Sequence, residues 1–230
     1  MRILAIDCAT TACSVAIWVG GSIVAVERAE MARGQGEALL PMIDRVRSQA
    51  GLAFAELDRL AVTIGPGHFT GLRSGLATAR GLALATGLPL VGVTTLDAVA
   101  AAVPLAERAG AILAVALDSK RAEAYVQAFA SDRTPLAPPQ ARRPADYAGE
   151  LWRTVPLGSR FVVVGDAAPA LVGALQEHGA VAVLSSAAPR PDAAIIAALA
   201  AAAAPPSGPP APLYVHPVDT TPPRPRVARA

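Results

Sequence analysis

The chain starts the same way twice. Ile3 to Ile6 is a short apolar run ending in Asp7, and the polar turn Ala9-Thr10-Thr11 leads into a second apolar run, Cys13 to Val19. Further on, Ile112 to Leu117 ends in Asp118, the turn Ser119-Lys120-Arg121 follows, and Ala122 to Phe129 alternates as a strand does. A repeated strand, aspartate, turn and strand leaves few folds open. It points to an α/β protein of two related lobes, with Asp7 and Asp118 facing each other across the cleft between them.

The remaining pattern fits that division. Gly20-Gly21 between Val19 and Ser22 reads as a two-residue hairpin turn into a third strand, Ser22 to Val26. Glu37 to Ser48 places Leu39, Leu40, Ile43 and Val46 at helical spacing, with Pro41 tolerable in a first turn. Strand Leu60 to Ile64, helix Gly71 to Ala85, strand Leu90 to Val93 and helix Thr95 to Val103 follow. After Asp118 and its second strand come strand Phe161 to Val164, helix Ala168 to His178, strand Val181 to Leu184 and helix Asp192 to Ala204. Thr134 to Pro144 and Pro205 to Pro212 are proline-rich and read as extended, exposed linkers. The expected lobes are residues 1–104, joined by the carboxy-terminal segment 212–230, and residues 105–211.

Hydrophobic residues make up 53% of the 230, and charged residues 17%, which excludes a chain too polar to bury a core. The longest apolar run, Ala193 to Ala204, is too short to span a bilayer, and Asp7 interrupts what a signal peptide would need as its apolar core. The expectation is a cytoplasmic protein without a membrane segment. Cys8 and Cys13 stand apart from any Cys/His cluster, so they read as reduced packing residues and no metal site is expected. The formal charge is +2, and Arg224, Arg226 and Arg229 sit in a tail expected to fray. The globular part is near neutral, without the basic footprint of a protein that holds RNA alone.

Two segments carry possible chemistry. Asp7 with Thr10 and Thr11 has the form used to hold a metal-bound phosphate, although the same residues close a turn through side-chain to backbone bonds. The run Gly65-Pro66-Gly67-His68-Phe69-Thr70-Gly71-Leu72-Arg73-Ser74-Gly75 is more specific, because a strand enters it and a helix leaves it. Gly65 and Gly67 flank Pro66 in a sharp turn, Thr70 is placed to cap the helix, and Gly71 and Gly75 allow close backbone approach. A glycine turn at a helix start can receive an anion, so Gly65 and Gly67 join Asp7, Thr10, Thr11 and Asp118 as candidate nucleotide- or anion-binding residues. The turn has no lysine and not the spacing of a P-loop, while Arg73 can pair with a phosphate or a partner's carboxylate. His68, His178 and His216 are scattered, and neither a G-x-S-x-G elbow nor a helix with two histidines appears.

Ile3 to Thr10, Gly65 to Gly75, Gly92-Val93-Thr94-Thr95-Leu96, Leu117-Asp118 with Glu123-Ala124-Tyr125, and Pro212-Leu213-Tyr214-Val215 together resemble the TsaB family, also called YeaZ. The likeness is closest over the first 130 residues or so. It implies an actin-like, Hsp70-like and sugar-kinase-like (ASKHA) architecture of two RNase H-like lobes. It also implies a subunit without catalytic residues or cofactor of its own. Such a subunit pairs with its paralogue TsaD, is joined by the ATPase TsaE, and serves N6-threonylcarbamoyladenosine (t6A) synthesis on tRNA by a complex that uses ATP and magnesium. Family members often have a histidine where Gln35 or Gly36 precedes Glu37, a serine at His68 and an arginine at His216; none of these departures disables a scaffold. On the resemblance, Leu39, Leu40, Ile43 and Val46 with Leu72, Leu76 and Ala79 form the partner-binding face, which in isolation supports a homodimer.

Two other readings remain at this point. One is an autonomous ATPase or small-molecule kinase of the same fold, using Asp7, Thr10 and Asp118. The other is a peptidase, for which no nucleophile and base stand together.

Overall fold

The computed structural model describes residues 1–31 and 33–216, so the tail arginines 224, 226 and 229 lie outside the described residues. The first half runs β1 (Arg2–Asp7), β2 (Ala12–Val19), β3 (Ser22–Glu30), α1 (Gln35–Gln49), β4 (Arg59–Gly65), α2 (Phe69–Thr86), β5 (Leu90–Thr94) and α3 (Thr95–Ala102), followed by the short α4 (Leu105–Arg108). The second runs β6 (Ala111–Asp118), β7 (Ala124–Phe129), β8 (Gln140–Arg142), α5 (Pro144–Thr154), β9 (Arg160–Val164), α6 (Ala168–Glu177), β10 (Val181–Leu184) and α7 (Ala193–Ala202).

The two sheets are wound alike, in the orders β3-β2-β1-β4-β5 and β8-β7-β6-β9-β10. In each, the opening strand pairs antiparallel with the second and parallel with the fourth. The repeat read from Asp7 and Asp118 is therefore a duplication of topology, and the fold is a two-lobed α/β architecture of the ASKHA type.

Both faces of each sheet are covered, which is why the parallel strands read as continuous apolar runs. On β1, Leu4 and Ile6 join a core with Leu39, Met42, Ile43 and Val46 of α1 and Leu76 and Ala79 of α2. Ile3 and Ala5, on the opposite face, pack with Ala193, Ile196, Ala197 and Ala200 of α7. In the second lobe, Val126 and Val163 face Tyr147, Leu151 and Leu171 of α5 and α6, while Leu113, Val115 and Val162 face Leu96, Val99 and Val103 of α3 and the turn after it. The lobes thus exchange helices: the last helix of the first repeat covers the second sheet, and the last helix of the second repeat covers the first.

That exchange corrects the expected boundary at 105–211, because α7 belongs to the first sheet's core. The chain then runs back over the first lobe, with the Leu213 N–H donating to the Ile64 carbonyl at 2.7 Å and Arg80 Nη2 to the Pro210 carbonyl at 2.6 Å. Other expectations also change. Thr134 to Pro144 is not simply a linker, since Gln140–Arg142 pairs with β7 as an edge strand. Helix α5 lies just beyond it with Pro144 in its first turn. Helix α1 starts at Gln35 after Gly34, so Pro41 lies past the first turn; it is exposed, where solvent can bond the carbonyl its missing N–H leaves free.

The two tryptophans, Trp18 in β2 and Trp152 in α5, report one lobe each. Truncating Ile196→Ala, fully buried at the crossover, is expected to cost about 2–5 kcal/mol. Because α7 and α3 tie each core to the other repeat, urea unfolding followed through Trp18 and through Trp152 in single-tryptophan variants should give coincident transitions; separated midpoints would show that the lobes unfold independently.

Candidate functional site

The glycine run builds its site by letting backbone lie on backbone. Gly65 has φ 108 and precedes a cis peptide to Pro66. The turn then returns onto the loop after β1, where the His68 N–H donates to the Ala9 carbonyl at 2.7 Å. A Cβ at Gly67 would overlap the Ala9 carbonyl oxygen, one at Gly71 the Cys8 carbonyl oxygen, and one at Gly65 the Leu213 carbonyl oxygen. Gly75 packs a turn further along α2, its Cβ position 3.4 Å from Cys8 Cβ. The expected cap at Thr70 is replaced: α2 starts two residues earlier, with His68 in extended conformation at the N-cap, and Thr70 is exposed.

This packing seals Asp7. Its side chain is fully buried, with Oδ1 accepting from the Ala9 N–H at 3.0 Å and from Thr63 Oγ1 at 2.7 Å, while Oδ2 has no partner. Burial pushes the carboxyl up to about 7, against the lowering effect of those two bonds, and Asp192 adds a smaller upward push. Thr10 is buried with Oγ1 unpartnered, and Thr11 uses its carbonyl to accept from the Met31 N–H. Next to them, Cys8 and Cys13 are both buried and unbridged.

Asp118, its counterpart in the second repeat, stands in a different environment. It accepts from the backbone N–H of Lys120 at 2.7 Å and from Lys120 Nζ at 2.6 Å, which holds it below the ordinary carboxylate range. The two aspartates end equivalent strands, yet one is sealed and inclined to hold its proton while the other is ion-paired at the surface. Among the described residues, no group of three His, Cys, Asp or Glu side chains is placed to hold a metal.

A cleft of about 510 Å³, lined by neither aspartate, is bordered by His68 and Arg73 from the first lobe, Lys120 and Tyr125 from the second, and Tyr214 and His216 from the returning chain. Arg73 lies 3.5 Å over the Phe69 ring and donates from Nε to Tyr214 Oη at 2.9 Å, and His216 meets Tyr125 edge-on at 5.3 Å. His68 is pushed down, chiefly by burial and then by Lys120. Lys120 and Asp166, whose Oδ1 accepts from the Asp118 N–H at 2.7 Å, were not singled out as site residues from the sequence; Lys120 sits in the second turn of the repeat, which was the signal for it.

The expected partner face also changes. Leu39, Ile43, Val46, Leu72, Leu76 and Ala79 are buried in the chain's own core, because an apolar helix face next to a sheet is covered by that sheet. Of the seven, Leu40 alone is exposed. The outward side of the helix pair instead presents Leu40 and Pro41 of α1 with Ala77, Gly81, Leu84 and Ala85 of α2. These helices approach closely, Gly36 lying against Ser74.

A family model described as "TsaD: tRNA N6-adenosine threonylcarbamoyltransferase" matches residues 28–203. The chain belongs to this family. Within it, the likeness is to the TsaB/YeaZ proteins. It is 40% identical over 133 residues to the tRNA threonylcarbamoyladenosine biosynthesis protein TsaB of Escherichia coli strain K12, covering 57% of this chain and 56% of that protein. The chain spans about half the length of the curated relatives it matches. YeaZ from Pseudomonas aeruginosa superposes with a TM-score of 0.69 at 25% identity, covering 87% of this chain and 92% of the other. A second Pseudomonas aeruginosa structure, of an uncharacterized protein with similarity to peptidase YEAZ, shares the fold at a TM-score of 0.75 and 24% identity, over 94% and 99% of the two chains. No helix among the described residues is long and apolar enough to cross a membrane.

The raised Asp7 carboxyl sets a sign for the pH dependence. It is neutral in both states below about pH 4, and its ionisation is opposed only in the folded protein, so stability falls as pH rises through the interval up to about 7. Between pH 4 and 8 the wild type should lose up to about 4 kcal/mol relative to Asp7→Asn in denaturant unfolding. Parallel pH profiles for the two proteins would contradict this. Gly71→Ala, whose methyl meets a backbone oxygen, should destabilise by about 2–4 kcal/mol, whereas Gly81→Ala, with open space at Cβ, should be neutral or stabilising by up to about 1 kcal/mol.

Proposed function

We propose that this chain is a non-catalytic subunit of the machinery that makes t6A on tRNA, pairing with a TsaD enzyme through the outward side of α1 and α2. The observation that carries this reading is the face itself. Leu84 is 89% exposed and Leu40 56%, on two packed helices of which α2 also exposes Ala77, Gly81 and Ala85. Apolar residues beside small ones on a close helix pair are what a second helix pair needs in order to dock.

The sealed Asp7 supports a subunit without its own chemistry. A carboxylate that holds magnesium and phosphate must be ionised and reachable, and Asp7 is neither buried lightly nor held low. An autonomous ATPase or kinase using Asp7, Thr10 and Asp118 is therefore the weaker reading. In the proposed assembly, TsaE and the ATP and magnesium it uses join the pair in the cytoplasm, and tRNA is reached through the complex, consistent with the near-neutral charge of this chain. Without TsaD, the same face supports a homodimer.

Gly81→Glu places a charge in the middle of the face where a Cβ meets nothing, so the fold is kept. Co-elution with TsaD should weaken at least about tenfold with an unchanged melting temperature. Reconstituted tRNA modification with TsaD, TsaE and the threonylcarbamoyl-AMP synthase, read by nucleoside mass spectrometry, should require this chain and should fall with Gly81→Glu. Modification that proceeds equally without the chain overturns the proposal.

A further inference from the structure

A second cleft opens between the lobes and shares no residue with the one at His68 and Tyr214. It measures about 510 Å³, within the range of small-molecule sites. Val93 of β5, Ala100 of α3 and Phe129 of β7 form its buried floor, and Pro135, Leu199 of α7 and Ala203 are the apolar residues open to a ligand. Its charged lining is Asp97, Asp132 and Arg133.

Arg133 is the unusual member. Its backbone is left-handed, φ 74, in the turn after β7, where its N–H donates to the Ala130 carbonyl at 2.9 Å. Glycine or asparagine fills such a position at lower cost, and a long side chain held there is often kept for what its head group does. That head group has no ion pair among the described residues, and its Nε is enclosed without a partner. An enclosed guanidinium N–H without an acceptor is a standing cost that a bound carboxylate removes.

Asp97 supplies the opposite charge. One carboxylate oxygen accepts from Thr94 Oγ1 at 2.6 Å, which fixes the side chain at the first turn of α3 and leaves the other oxygen available. Asp132 stands on the exposed rim, where Thr134 holds it below the ordinary carboxylate range. A simple anion would meet two aspartates and a simple cation would meet Arg133. A molecule carrying both charges next to an apolar body meets neither objection.

We propose that this cleft binds a free α-amino acid with an apolar side chain. Its carboxylate pairs with Arg133, its ammonium with Asp97, and its side chain rests on Pro135, Leu199 and Ala203.

The test is isothermal titration and thermal shift with leucine and phenylalanine, next to N-acetyl-leucine and leucinamide, each of which lacks one charge. The free amino acids should bind and raise the melting temperature, with the blocked forms at least about tenfold weaker. R133G should lose binding by a similar factor while melting about 2–4 °C higher, because it relieves the left-handed arginine. D97N, which keeps an oxygen for Thr94, should lose binding with little change in melting. The proposal is overturned if no amino acid produces heat or a shift at about 10 mM, if the blocked forms bind as tightly as the free ones, or if R133G binds undiminished or melts lower than the wild type.

Discussion

Two backbone carbonyls, those of Cys8 and Ala9, determine much of how the first lobe is put together. The chain between β4 and α2 lies directly on them, and this is possible only because residues 67 and 71 have no side chain. Gly67 lies just before the N-cap and Gly71 in the first turn of α2, so the two contacts together fix where α2 starts and how it leans on the sheet. The tightness also closes the loop after β1, burying Asp7 and Thr10 under the helix. A motif that resembles an anion-receiving turn is here used up by the protein's own carbonyl groups.

Duplication supplies the frame in which this matters. Equivalent strands end in Asp7 and Asp118, and each repeat presses a glycine onto backbone there, Gly67 and Gly71 onto the Ala9 and Cys8 carbonyls and Gly165 onto that of Ala116. The second repeat has Asp166 at the corresponding turn, where its Oδ1 accepts from the Asp118 N–H at 2.7 Å, and Asp118 stays at the surface with Lys120. Of the two carboxylates, one is sealed and the other forms an ion pair at the surface. The outer side of α1 and α2 exposes apolar and small residues.

Much of the architecture was legible because apolar runs and their endings carry it. β1, β4, β6 and β9 are buried on both faces, so they appear as continuous hydrophobic stretches, and the strand-aspartate-turn-strand echo gave the repeat. Helix α5 was not read, although Tyr147, Ala148 and Leu151 behind Pro144 have the spacing of a buried face; the surrounding prolines and arginines obscured it. Most of the expected partner face lies in the chain's own core for a physical reason. Apolar periodicity finds the side of a helix that a sheet covers, whereas the exposed side of this pair carries glycine and alanine, which periodicity does not weigh. The helix exchange was also invisible, since nothing in an alanine-rich segment says which of two sheets it will cover.

That exchange bears on how the molecule comes into being on the ribosome. The amino-terminal sheet is complete in strands once β5 has emerged, but one of its faces is covered only by α3, at β4 and β5, until α7 has been synthesised, nearly the whole chain later. Leu4 and Ile6 can be covered early by α1 and α2, while Ile3, Ala5, Ala16 and Ala61 wait for residues 193–200. A nascent chain stalled anywhere in the second repeat therefore displays an unfinished apolar sheet, which makes the interval before release the time when this protein most needs a chaperone.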